Sequence, residues 1–225
     1  MTKRPKQHRS PLPVAVPLLL VLCLVCIPFF SRSTPVYAQD HAVVTRIREF
    51  YPGDEILPDT ELYYPQISFG ENPSQLQTAN AMMREYAIGQ YHIYRKTVKN
   101  GTLHPAENAQ PIVLTDYQIL RNSGGYLSVR FRSANASLAR PGWFTIRLQD
   151  RKVCRLADLF PSDTDYCLLL NREISRQLQA PFDKVRFDTP FCLTDDALLL
   201  LFWEEQTPVT IELPLSELCP QRFSS

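Results

Sequence analysis

The chain has 225 residues, 44% of them hydrophobic and 21% charged, with a formal net charge of +1. That total hides an uneven spread. Five of the 24 basic residues and none of the 23 acids fall within residues 1–38, leaving 19 against 23 and a formal charge of −4 beyond them. No Lys/Arg run in that remainder supplies the concentrated basic surface that nucleic-acid binding needs, so that class of function is excluded.

Lys3, Arg4, Lys6 and Arg9 make a basic cap, and Pro11 to Phe30 then run without a charge. Val36-Tyr37-Ala38 closes the stretch with an exit of the kind a signal peptidase reads. Cap, apolar run and exit predict a signal peptide over residues 1–38, with the body from Gln39 onward exported. Pro11, Pro13, Pro17 and Pro28 weaken the run as a permanent membrane helix. Left uncut, it tethers the body on the same side of the membrane. A secreted or extracytoplasmic location is expected either way.

The exported part splits into a strand-helix portion, residues 39–110, and a sheet-and-helix portion, residues 111–225, expected to form one compact unit. Val43 to Phe50 holds an entering strand or helix turn. Tyr63, Tyr64, Ile67 and Phe69 predict a strand between Pro58-Asp59 and Gly70, with Pro65 suited to an edge or a strand start. Asn72-Pro73 opens a helix whose stripe is Leu76, Ala79, Met83, Tyr86 and Ala87, extending toward Tyr91 and Tyr94. Strands follow over Val113–Leu120, Tyr126–Phe131 and Trp143–Leu148, the first two joined by a tight reversal at Asn122-Ser-Gly-Gly125. Each alternates an apolar with a polar face, which predicts one side on a core and the other in water.

A second helix is expected to start near Ser162 or Asp163, burying Tyr166, Leu169, Leu170, Ile174 and Leu178 before Pro181. Strands at Phe191–Thr194, Leu198–Trp203 and Val209–Leu213 close the chain, with Asp195-Asp196 turning between the first two. The uninterrupted apolar run Leu198–Trp203 predicts a central strand covered on both faces. The fold class is α+β: antiparallel sheet meanders packed against two main helices.

Chemistry is sparse. Cys23 and Cys26 lie in the export segment, where their C-x-x-C spacing has no redox setting. Cys154, Cys167, Cys192 and Cys219 remain: two disulfides with three possible connectivities, or four buried free thiols. Their spacing lacks the paired C-x-x-C of a zinc site. Beyond the leader the only histidines are His41, His92 and His104, and no nucleophile elbow, zinc helix, P-loop or dinucleotide fingerprint is present. Asp158, Asp163 and Asp165 form the best carboxylate cluster, a weak candidate surface for calcium that lacks the full spaced loop. Helix capping by Asp163 explains it more simply. Glu204 and Glu205 are adjacent on a strand and point to opposite faces. Trp143 and Trp203 suit a glycan- or protein-binding surface, although strand residues of this type are by default buried. Asn100-Gly-Thr102 and Asn135-Ala-Ser137 match the short glycosylation pattern. No metal, cofactor or catalytic set is expected.

Several segments together resemble a known family. Tyr64-Pro-Gln-Ile-Ser-Phe69 with the Asn72 helix is similar to the opening of a bacterial extracytoplasmic domain of unknown function. Leu156-Ala-Asp-Leu-Phe160, the Leu168–Leu178 helix, Phe191-Cys-Leu-Thr194 and Val209 to Leu218 resemble its companion domain, so the likeness spans Leu62 to Leu218. In that family the paired domains form the outer half of lysozyme-sensing anti-sigma factors and precede a peptidoglycan deacetylase domain. Ten residues ahead of the apolar run are too few for a sigma-binding domain, and no deacetylase segment follows. The resemblance therefore implies an envelope recognition module without catalysis, its partner peptidoglycan or a lysozyme-like protein. The competing expectations are a small cell-wall glycan or peptide hydrolase and a structural envelope protein.

Overall fold

The computed structural model describes residues 41–69, 76–103, 111–134, 142–205 and 207–218. The export-type segment, the Asn72-Pro73 helix start, the His104 loop, Asn135 and Cys219 lie outside the described residues. Residues 38–225 cluster as one compact unit.

The first sheet comprises β1 (Val43–Tyr51), β2 (Thr60–Ser68), β3 (Ile112–Ser123), β4 (Tyr126–Ser133), β5 (Trp143–Arg147) and β6 (Lys152–Val153), neighbours in that order. Every pairing is antiparallel except β2 with β3. The parallel pair departs from an all-antiparallel meander, and α1 (Gln77–Lys99) explains it. A helix between two strands carries the chain back to the end where it started, so the strands run the same way. Their register ends at Leu62, so Pro65 sits in the half of β2 that pairs with β1 alone among the described strands. Asn80 of α1 closes the far end of β2, its side chain accepting from Ile67 N at 2.7 Å and donating to Ile67 O at 2.8 Å.

α1 buries Ala79, Met83, Ala87, Tyr94 and Val98, a stripe at helical spacing that continues past Gly89. Leu127, Val129 and Phe131 of β4 meet it from the sheet, with Leu62, Leu114 and Ile146 fully buried beside them. The first core thus draws on residues from both sides of positions 104–110.

The second sheet, β7 (Phe191–Leu193), β8 (Ala197–Glu204) and β9 (Thr207–Pro214), is wholly antiparallel with β8 in the centre. Ala197 to Phe202 are buried, as an apolar central strand requires, but Trp203 is 42% exposed. Its core is closed by α2 (Tyr166–Leu178), through Leu170 and Ile174, and by the short turn α3 (Leu215–Leu218). α2 starts three or four residues later than expected. Asp165 is the cap, its side chain accepting from Leu168 N at 3.0 Å, and Leu178 lies half exposed beyond the buried stripe.

The polar face of β4 and β5 does not meet water along its length. β7 lies across it: Ser128 Oγ accepts from Leu193 N at 3.0 Å and bonds Thr145 Oγ1 at 3.0 Å, all buried. The alternation is read correctly, yet half of the supposed solvent face is a hydrogen-bonded seam between two sheets. At its end Arg121, 5% exposed, donates to Ser123 O and to Thr194 O, and Ser123 Oγ donates to Asp195 at 2.7 Å.

Candidate functional site

Where β7 stops covering that face, a cleft opens. β5 presents Trp143 and Thr145 on its outer side, and β6 runs out into Cys154-Arg155-Leu156. Opposite them the segment before β7 is folded back by Thr189, whose Oγ1 accepts from Arg186 N at 2.8 Å. That turn leaves Phe187 77% exposed and Asp188 exposed at the rim, while Phe191 forms the buried floor. The cleft encloses about 300 Å³, at the small end of ligand sites. Arg155, whose guanidinium lies 3.7 Å from Asp158, and Asp188 bring charged groups to a lining that also holds Trp143, Phe187 and Phe191. Such walls stack against a flat, partly apolar ligand while the charged groups orient its polar edge.

Cys154 lines the cleft, but burial pushes its thiol up to about 11, against the pull of Arg147. It therefore stays protonated at neutral pH and is a poor nucleophile.

The outer face continues beyond Trp143. Trp143 pairs directly with Arg130 of β4, Arg130 with Gln118 of β3, and Arg132 with Asp116. Directly paired residues share a face, so these side chains form two adjacent rows on one face of the sheet. Arg130 Nη2 and Arg132 Nη2 both donate to Gln118 Oε1, at 2.9 and 2.8 Å. Asp116 pairs with Arg46 at 3.1 Å, and Arg46 lies 4.0 Å over the Tyr63 ring. Arg48 is bonded to Glu61.

The aspartates singled out by sequence do not form a joint site. Asp158 accepts from Arg155 N at 2.8 Å, and this bond is the main reason its carboxyl sits below the usual range. Asp165 caps α2, and Asp163 is merely exposed, so the capping role expected for Asp163 belongs to its neighbour. No group of three or more metal-ligating side chains occurs among the described residues. Asp195 and Asp196 lie in the β7–β8 turn, where Asp196 accepts from Thr194 Oγ1. Glu204 pairs with Lys184 at 3.0 Å, and Glu205 turns the chain with a φ of 47°. His92 lies on α1. Among the described cysteines, Cys154, Cys167 and Cys192 are unbridged. No bridge joins these three, and Cys192 is wholly buried with its thiol against Val129 O.

Sequence reasoning missed Phe187 and the Arg130–Gln118–Arg132 set. The alternation of Arg130 and Arg132 on β4 was visible. Their neighbours were not, because strand register decides them.

No family model matches the sequence, and no curated protein matches it. Solved structures similar to the chain are DUF3298 family proteins. One from Bacteroides fragilis is 13% identical, covering 83% of this chain and 94% of its own, with a TM-score of 0.38. One from Pseudomonas aeruginosa is 17% identical, covering 80% and 94%, with a TM-score of 0.46. Neither neighbour's name states an activity or a ligand.

Proposed function

We propose that this chain is an exported recognition module of the bacterial envelope that binds a glycan component without transforming it. The observation that carries the reading is the cleft beside Trp143, Phe187 and Phe191, aromatic within and edged by Arg155 and Asp188. Phe187, 77% exposed at the cleft, presents a ring on which a sugar face can stack. The export-type leader puts cell-wall polymers within reach. The high-lying Cys154 thiol favours binding over covalent catalysis. A concave site of about 300 Å³ fits one or two sugar rings better than the broad face of a lysozyme-like protein.

Titration of the full chain with soluble peptidoglycan fragments and with lysozyme, followed by tryptophan fluorescence, tests this. Fragments should bind without being cleaved, and Trp143→Ala or Phe187→Ala should weaken binding at least tenfold while the thermal transition stays in place. Cleavage of the fragments, or binding to lysozyme alone, would defeat the reading.

A further inference from the structure

We propose that the Arg130–Arg132 pair is an anion subsite adjoining the cleft, so that the ligand is an acidic glycan bearing phosphate or carboxylate groups. The inference rests on the cleft as the glycan site and adds the charge of its occupant.

Two guanidinium groups converge on one neutral amide oxygen, Gln118 Oε1, at 2.9 and 2.8 Å. Their Nη2 atoms are therefore no farther apart than the sum of those distances, and among the described residues neither arginine pairs with a carboxylate. Like charges held so close repel unless a negative group joins them. The nearest acid on this face, Asp116, is already engaged with Arg46. Arg46, Arg130 and Arg132 against Asp116 leave a local excess of two positive charges, on a body whose formal charge beyond residue 38 is −4. Arg132 is exposed and Arg130 half-buried, so both remain reachable. Guanidinium forks match phosphate and carboxylate oxygens, and a bound anion would replace the shared amide contact with charge-assisted bonds.

Position links this pair to the cleft. Arg130 is the direct cross-strand neighbour of Trp143, and neighbouring strands lie about 5 Å apart. A ring stacked on Trp143 thus carries a substituent of its own, or of the next sugar, onto Arg130. A neutral polysaccharide leaves the two arginines uncompensated.

Four probes distinguish the sources: a neutral N-acetylglucosamine oligosaccharide, a lactyl-carboxylate peptidoglycan fragment of equal length, a glycerol-phosphate polymer, and vesicles containing phosphatidylglycerol. The full chain should bind one or both acidic probes at least tenfold more tightly than the neutral one at low salt. The preference should shrink as added salt screens the charges. Arg130→Gln with Arg132→Gln should abolish the preference, so that acidic and neutral probes bind alike, and Arg132→Gln alone, at an exposed position, should remove much of it should the double variant fold poorly. Trp143→Ala should weaken all three soluble probes together. Equal affinity for neutral and acidic probes, or a preference that survives the substitutions, overturns the anion subsite and leaves the cleft reading standing. Binding to no glycan overturns both. Binding only to vesicles containing phosphatidylglycerol overturns the glycan in favour of a lipid surface.

Discussion

At the scale of single residues, Glu49 shows how a surface strand becomes a fixed element. Its Oε1 accepts from Tyr64 Oη at 2.6 Å and Arg84 Nε at 2.8 Å, and its Oε2 from Tyr51 Oη at 3.0 Å. One carboxylate thus ties β1 to β2 and to α1. Partial burial disfavours the charged form, but the bonds from Tyr64, Arg84 and Tyr51 outweigh it and hold the carboxyl below its ordinary 4.5. A depressed carboxyl contributes stability above its unfolded value and loses it as pH falls through the folded one. Glu49→Gln should therefore be destabilising at neutral pH, with the gap from the parent closing as pH drops below 4.5. Urea unfolding at several pH values reads this directly, and a gap independent of pH would contradict it. Tyr51 is affected in the opposite sense: burial and the bond to Glu49 raise its phenol to about 12. None of these groups faces the cleft, so this perturbed cluster reports structure and not chemistry.

At the scale of elements, the seam between β4–β5 and β7 is the decisive contact. Ser128 and Thr145 are the polar half of an alternation that the sequence makes plain, and the burial of both is what the alternation hides. Ser128→Ala should cost about 1–3 kcal/mol, since Leu193 N–H and the Thr145 hydroxyl lose a partner away from water. Chemical denaturation measures this, and a change under a few tenths would mean that water enters the seam. Gly142, just before β5, is a second constraint. A Cβ there would lie 2.7 Å from Phe131 Cβ and closer still to the Tyr86 ring. Gly142→Ala should destabilise by about 1–3 kcal/mol through overpacking. It should also disturb ligand binding, because Trp143 is the next residue.

At the scale of the whole molecule, thiol chemistry follows from where the two sheets place each cysteine. Burial raises Cys154 to about 11 and Cys192 to about 12, and Cys167 on α2 is less enclosed. Iodoacetamide at mildly alkaline pH should label Cys167 long before Cys154 and Cys192, which should react only after denaturation; peptide mapping by mass spectrometry separates them. A bridge from Cys154 or Cys192 to any other cysteine in purified protein would contradict this placement. Much of the molecule is readable without coordinates. Local periodicity marks α1 through Ala79, Met83 and Ala87, glycines with φ of 54° and 74° turn β3 into β4, and the run Leu198–Phe202 makes a covered strand. These signals are written in neighbouring residues, because helix stripes, strand alternation and turns depend on short-range geometry. The parallel pairing of β2 with β3, the burial of Ser128, the exposure of Phe187 and the meeting of Arg130 and Arg132 on Gln118 required the tertiary structure. Each depends on which segment, distant in the chain, comes to lie beside another, and no local pattern encodes that choice.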